Sequence, residues 1–525
     1  MVGFNPALLW KTPEINPINH KARSLPLLNP INVHGRVFFF SWFGFMIAFW
    51  SWYAFPPLLH DIIKKDLHLT TDHVGNSNII ALVATLLVRL VAGPACDRFG
   101  PRYTFAGCLL IGAIPTFLSG TAYNVHQLYA LRFFIGILGG SFVPCQVWTT
   151  GFFDKNIVGT ANSVAAGFGN AGGGITYFAM PAIYNSFVRD QGLAPHVAWR
   201  VSFVVPGILI VSVATLLVLL CPDTPTGKWS ERMQAAEINR QHAAVEPSVV
   251  DVPGQVTEDS KGGNVQYNGT NTPGTLTRKN SYNLDDEKKS DSVSKPNNDP
   301  EAQLGEQQML DLTRNEVVQK PTWGDIARIT FSPQTIVCGA AYFCTFGAEL
   351  SVNSILGSYY AKQFPTLDTQ QTGNYAAIFG LLNVVWRPLG GVVGDIAYKY
   401  TSSVWSKKVL LHTYGIGTGA LLLATGLVNP TEVGTMLALV TIGVAFFLAG
   451  ANGLTFSLVP HVHPQANGVV SGFTGACGNL GGVVFAIVFR YGRSYGESIW
   501  IIGVMVVAIN LAVCWIRPVP KGQMA

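Results

Sequence analysis

Apolar and polar positions fall in long blocks along this chain, not in the short periods of a soluble fold. Apolar runs of helical length lie at 37–59, 75–96, 103–121, 126–148, 159–185 and 199–221. They return at 334–361, 373–397, 408–428, 432–459, 466–490 and 496–516. About 20 apolar residues in a helix cross the hydrocarbon of a bilayer, which is about 30 Å thick. The pattern predicts an all-α membrane protein of twelve spans in two sets of six. Between the sets, 222–333 is rich in Ser, Asn and Pro and carries the charge run Asp285-Asp286-Glu287-Lys288-Lys289. Such a stretch cannot bury enough apolar surface to offset the entropy of ordering, so disorder is expected. Its end, Thr322-Trp323-Gly324-Asp325-Ile326, is expected to form a short amphipathic helix. The predicted organisation is an N-terminal segment 1–36, a six-helix half 37–221, an insert 222–333, a second half 334–516 and a tail 517–525.

Composition agrees with the blocks. Of 525 residues, 49% are hydrophobic and 12% charged, with mean hydropathy +0.32. Soluble domains carry about twice that charged fraction. The net charge of +5 is spread over loops and gives no reason to expect nucleic acid. The eight cysteines sit in or beside apolar runs without CxxC spacing, as packing residues. No nucleotide loop, metal-ligand cluster or nucleophile constellation is present, so no enzyme activity, cofactor or metal is expected. Lys and Arg in short loops, among them Arg98, Arg102, Lys155, Lys399 and Lys407, favour cytoplasmic termini and a cytoplasmic insert. Asn268-Gly269-Thr270 is a sequon that would then face the cytosol and stay bare. Arg278-Lys279-Asn280-Ser281 has the form of a basophilic kinase site, with a chance match as the equal alternative. The expected partners are therefore lipid and kinases acting on the insert, for a chain that works as a monomer.

Two strings are duplicated. Arg89-Gly93-Asp97 and Arg387-Gly391-Asp395 share the spacing Arg-x3-Gly-x3-Asp. Gly169-Asn170-Ala171-Gly172-Gly173 has its counterpart in Gly478-Asn479-Leu480-Gly481-Gly482. Eight residues of helix place each arginine about 12 Å in from its aspartate, near the bilayer middle. A charge there costs at least about 2.5–3.5 kcal/mol unless it is paired or lines a wet cavity. Their own spans supply no acidic partner at that level. Glu349 is the one visible carboxylate for a buried ion pair, and one carboxylate cannot neutralise two arginines. The pattern points to an anion pathway, because a planar guanidinium offers a fork of donors to a flat oxyanion. The glycines Gly169, Gly172, Gly173, Gly478, Gly481 and Gly482 fit close helix packing. Asn170 is divided between substrate contact and support, while Asn479 reads as support. Glu349 is also the best carboxylate to carry a proton, with a structural acid as the alternative.

The loop Gly93-Pro94-Ala95-Cys96-Asp97-Arg98-Phe99-Gly100-Pro101-Arg102 resembles the G-x-x-x-D-R-x-G-R loop of the major facilitator superfamily, with a degenerate copy from Asp395 to Lys399. Leu128 to Gly136 resembles a second motif of that superfamily. The resemblance implies two six-helix halves rocking about a central site. It also implies that the loop residues Gly93, Asp97, Arg98, Arg102 and Asp395 gate the inner side without touching substrate. The doubled glycine-asparagine strings with the two buried arginines resemble one branch, the nitrate/nitrite porters, in its fungal high-affinity form. That resemblance implies that Arg89 and Arg387 grip the anion. Tyr342 to Gly347 resembles the branch's Tyr-x-x-x-Phe-Gly, whose aromatics line the site, here Tyr342 and Phe346. It implies proton-coupled import of nitrate, and of nitrite, at the plasma membrane. An electroneutral nitrate/nitrite antiporter and a sensor signalling through the insert remain the competing expectations.

Overall fold

The computed structural model describes residues 9–16, 19–231, 322–367 and 369–520. Residues 232–321 of the central insert, where the expected disorder, sequon and kinase site fall, lie outside these residues, as does the end of the tail. Among the described residues are twelve long helices: α1 (Val33–Trp52), α2 (Thr71–Phe99), α3 (Pro101–Phe117), α4 (Val125–Phe152), α5 (Val158–Arg189) and α6 (Pro195–Leu220) in the first half. The second half contains α7 (Pro333–Gln363), α8 (Asn374–Thr401), α9 (Val404–Val428), α10 (Val433–Val462), α11 (Asn467–Tyr491) and α12 (Tyr495–Val513). Eleven of them begin and end within about four residues of their predicted spans, while α1 ends at Trp52, seven residues before its predicted end at 59.

Eleven of these stretches are long and apolar enough to cross a membrane. The exception is α5, which carries Asn162, Ser163, Asn170, Thr176 and a run of glycines. It can be so polar because it faces protein: most of its residues from Val158 to Gly174 are buried. Lipid lowers no barrier to packing there, and small residues let neighbouring backbones approach.

The packing follows the duplication. In each half the glycine string packs its helix on the first helix of that half: α5 on α1, and α11 on α7. Between halves, α2 packs on α11 and α8 on α5. These two seams are related by the same internal symmetry. A Cβ on Gly172 would fall on the Met46 carbonyl, and one on Gly481 on the Phe343 carbonyl, so both contacts require glycine. The short helix expected before α7 is present as Trp323–Thr330, with a reciprocal cap between Thr322 and Asp325.

Candidate functional site

The repeated Arg-x3-Gly-x3-Asp spacing puts three residues on one helical stripe, and in both copies that stripe meets the opposite half. On α2, a Cβ at Gly93 would lie 2.5 Å from the Gly468 carbonyl oxygen of α11. The glycine lets the helices touch, and the touch brings Asp97 to the start of α11. There both carboxylate oxygens accept backbone hydrogen bonds, from Gly468 N and Val469 N, at 2.9 Å each. On α8, Gly391 packs on Gly159 and Ser163 of α5. Asp395 then accepts from Thr160 N at 2.5 Å and Thr160 Oγ1 at 2.8 Å, at the start of α5. Each aspartate caps a helix of the other half, where orphan N–H groups and the helix dipole favour a negative charge. At the aspartate end the two halves are thus closed on each other along both seams.

Of the remaining charges at this end, Arg98 and Arg102 contact groups of their own half, and one cation lies deeper than its sequence position suggests. Arg102 stays within its own half, pairing with Asp223 at 2.6 Å and donating to the Cys221 carbonyl just past α6. Arg98 is exposed, over the Phe99 ring. Lys407, read from sequence as a loop charge, is fully buried. Its Nζ reaches Asp395 Oδ1 at 2.9 Å, the Ser457 carbonyl at 3.3 Å and His461 Nε2 at 3.1 Å. The physical reason is that α9 starts early, at Val404, and carries Lys407 beneath the aspartate.

Both arginines of the stripe have 0% exposure and converge on the same two rings. The Arg89 guanidinium lies 4.8 Å from the Phe142 ring centre and 5.3 Å from that of Phe346. Arg387 lies 5.9 Å and 5.7 Å from the same two centres. Their partners differ in kind. Arg89 Nε donates to the Gly139 carbonyl and Nη1 to the Gly475 carbonyl, both at 3.0 Å. Glycines at 136, 139 and 140 tighten α4 into a 3-10 turn, Gly136–Ser141, next to that first acceptor. Arg387 Nη2 donates to Tyr342 Oη at 2.7 Å, and Nη1 lies 3.8 Å from Glu349 Oε2. Its Nε and Nη1 make no hydrogen bond. The carboxylate that the sequence offered for a buried ion pair, Glu349, thus stands beside Arg387. Glu349 reaches it from α7, the helix that precedes α8 in the chain.

Tyr342 and Phe346 stack at 4.8 Å and 5°, one turn apart on α7, and Phe142 lies parallel to Tyr342 at 6.1 Å and 11°. Phe456 of α10 presses edge-on against Phe142 and Tyr342 at 4.7 and 5.1 Å. Such rings exclude water and present π faces to the guanidiniums. Phe142 and Phe456 were missed in the sequence, where an aromatic inside an apolar run carries no signal of its own. Asn383 and Asn452 were missed as well. Their Nδ2 groups donate to the two Glu349 oxygens at 2.8 and 2.6 Å, and Asn452 Oδ1 accepts from Thr345. Buried amides in apolar runs were the signal available for both.

The two string asparagines have different places. Asn479 Nδ2 donates to the Gly475 carbonyl at 3.1 Å, the same oxygen that Arg89 grips, so it fixes an arginine partner. Asn170 touches neither guanidinium by a hydrogen bond. It lines a cavity of about 20 Å³ with Phe49, Tyr53, Phe346, Glu349 and Asn383. The helix directions place this cavity between the arginines and the end opposite the aspartates. The string glycines Gly169, Gly173, Gly478 and Gly482 pack against Phe45, Tyr53, Tyr342 and Leu350 respectively.

Comparison with known proteins is consistent across the chain. The family model described as Major Facilitator Superfamily matches residues 41–486. Elsinochrome transporter 1 of Elsinoe fawcettii is 41% identical over 521 residues, covering 98% of this chain and 98% of that protein. High affinity nitrate transporter 2.5 of Arabidopsis thaliana is 29% identical over 502 residues, covering 95% and 82%. The solved proton:xylose symporter bound to 6-bromo-6-deoxy-D-glucose superposes with TM-score 0.59 at 15% identity, covering 91% of this chain and 94% of that one. That last likeness is one of fold.

Proposed function

Because this chain belongs to the major facilitator superfamily, a family matched here through multi-pass membrane transporters, we propose that it imports nitrate, and also nitrite, by alternating access. The reading places it in the plasma membrane with both termini cytoplasmic, so that the aspartate end is the inner end. One observation carries the cargo: two fully buried guanidiniums from opposite halves flank one pair of aromatic rings. A planar oxyanion lying between Phe142 and Phe346 takes in-plane hydrogen bonds from both sides. Similarity to nitrate transporters over most of the chain supports the same cargo.

Import of an anion into a cell that is negative inside costs about 2.3 kcal/mol per charge per 100 mV. More than one proton per nitrate balances that in an electrogenic cycle. Glu349 is the group we assign to the coupling. Its carboxylate faces Arg387 Nη1, the side from which an anion would approach. A proton on Glu349 removes that competitor and leaves the arginine's free donors to the anion. Anion binding then lowers the repulsion between the two guanidiniums, and the halves close over it.

The relative at 41% identity supports a second reading, in which the cargo is elsinochrome. The test expresses the chain in cells without their own nitrate uptake and measures inward current and uptake for nitrate, nitrite, chloride and elsinochrome. Nitrate current that grows with an inward pH gradient supports the first reading. Uptake of nitrate only in exchange for internal nitrite, without current, replaces it with antiport. Elsinochrome transport without nitrate current overturns it.

A further inference from the structure

The cavity beside the arginines has a composition that anion binding does not explain. No cationic side chain lines it; Tyr53, Asn170, Phe346, Glu349, Asn353 and Asn383 do. Two of its three amides carry orphaned atoms. Asn170 is 7% exposed, and both its Oδ1 and its Nδ2 are buried without a hydrogen-bond partner. Asn383 is 3% exposed and has given its Nδ2 to Glu349, which fixes its Oδ1 as the unpartnered atom. Buried polar groups are normally satisfied, so several orphans around one cavity point to a guest. A space of about 20 Å³ suits one water, which needs two to four polar partners.

We propose that this cavity holds a single water that bridges Asn170 of the first half to Glu349 of the second and delivers the coupling proton to Glu349. The inference rests on the proton-coupled reading above. Asn170 Oδ1 and Asn383 Oδ1, both unpartnered, accept from the water, and when it carries the extra proton its third O–H points at a Glu349 oxygen. When the water arrives as hydronium, one O–H bond breaks on it, one forms on the carboxyl oxygen, and a neutral water stays behind. The titratable groups that face Glu349 are Arg387 from α8, Tyr342 from its own helix and Tyr53 from the end of α1. The amides of Asn383 and Asn452 hold both carboxylate oxygens in place while the proton moves. Because the cavity lies on the side away from the aspartate gate, loading takes place while that gate is shut. Asn170 thereby becomes a positioning residue for the proton, distinct from an anion ligand. One bridging water also spans the two halves, so its geometry changes when they rock apart.

The test uses the full chain in proteoliposomes, with nitrate uptake measured over a series of outer pH values at fixed membrane potential. For Asn170→Ala, half-activation by protons shifts about tenfold toward acid, the loss expected for one hydrogen bond in the relay. The KM for nitrate at saturating proton concentration stays at the wild-type value. Asn170→Ser, whose hydroxyl can hold a water, restores the proton response. If the alanine variant does not fold, Asn170→Leu, nearer in volume, carries the same expectation. A KM raised equally at every pH overturns the proposal and makes Asn170 an anion ligand. A wild-type pH profile in both apolar variants overturns it too. The underlying reading fails in a separate way: wild-type uptake then ignores an imposed pH gradient or follows sodium.

Discussion

Removing Asp97 should open the shut end of the molecule, and the structure sets the size of the effect. Asp97→Ala deletes a buried carboxylate that accepts from Gly468 N and Val469 N at 2.9 Å each. Loss of such a cap costs about 0.5–2 kcal/mol. Loss of the negative charge at a helix start adds about 0.3–1 kcal/mol. Both terms belong to the state seen here, because the halves part at this seam in the alternative state. The closed form therefore loses about 1–3 kcal/mol relative to the open one, a shift of about 5–150-fold in their ratio. The assay places a cysteine at Ser471, a buried residue next to Gly472 of the same seam, in a background lacking the native cysteines. Labelling by a membrane-impermeant maleimide from the aspartate side reads the open fraction. Asp97→Ala should raise the labelling rate by that factor, and Asp395→Ala should do the same from the other seam. An unchanged rate in a protein that reaches the membrane intact would refute the gating role of these caps.

Other expectations follow from single contacts. Arg387→Lys keeps the charge but loses the 2.7 Å bond to Tyr342 and the fork; a charged hydrogen bond is worth about 1.5–3 kcal/mol, so the nitrate KM rises about 10–100-fold. Unchanged affinity in uptake assays would contradict the bidentate picture. Tyr342→Phe removes the acceptor of the same bond and raises KM about tenfold, and the double variant should cost less than the sum of the singles. Gly481→Ala places a methyl on the Phe343 carbonyl and destabilises by about 1–3 kcal/mol, read as a lower Tm in detergent. Gly107→Ala, with nothing within 4 Å, is the neutral control.

The spans were legible because lipid imposes a length and a composition on each helix, and the arginines because a charge inside an apolar run is conspicuous. The aspartates stood out through the loop motif whose two copies they occupy. What they touch was not, because backbone N–H groups at a helix start carry no sequence signature. The same holds for the Gly139 and Gly475 carbonyls that hold Arg89: every residue has one. Lys407 was misread as a loop charge because the turn between α8 and α9 is only two residues long and α9 has already begun at Val404, which carries Lys407 under Asp395. The duplication also conceals an asymmetry. Four residues before Arg387 stands Asn383, bound to Glu349, whereas four residues before Arg89 stands Thr85, bound to Trp52 and the Gly136 carbonyl. Equal spacing in the two copies gave no hint that only one of them has an acid beside it.

That asymmetry has an evolutionary consequence. The oxygens gripping Arg89 are part of the peptide itself, so no codon change can remove them without moving a helix. The groups around Arg387 are a phenol, a carboxyl and two amides, each replaceable by a point mutation. One jaw of the clamp is thus fixed, and the other is adjustable. Descendants that acquired new cargo would be expected to differ first at 342, 349, 383 and 452, and a designer seeking altered selectivity should begin there.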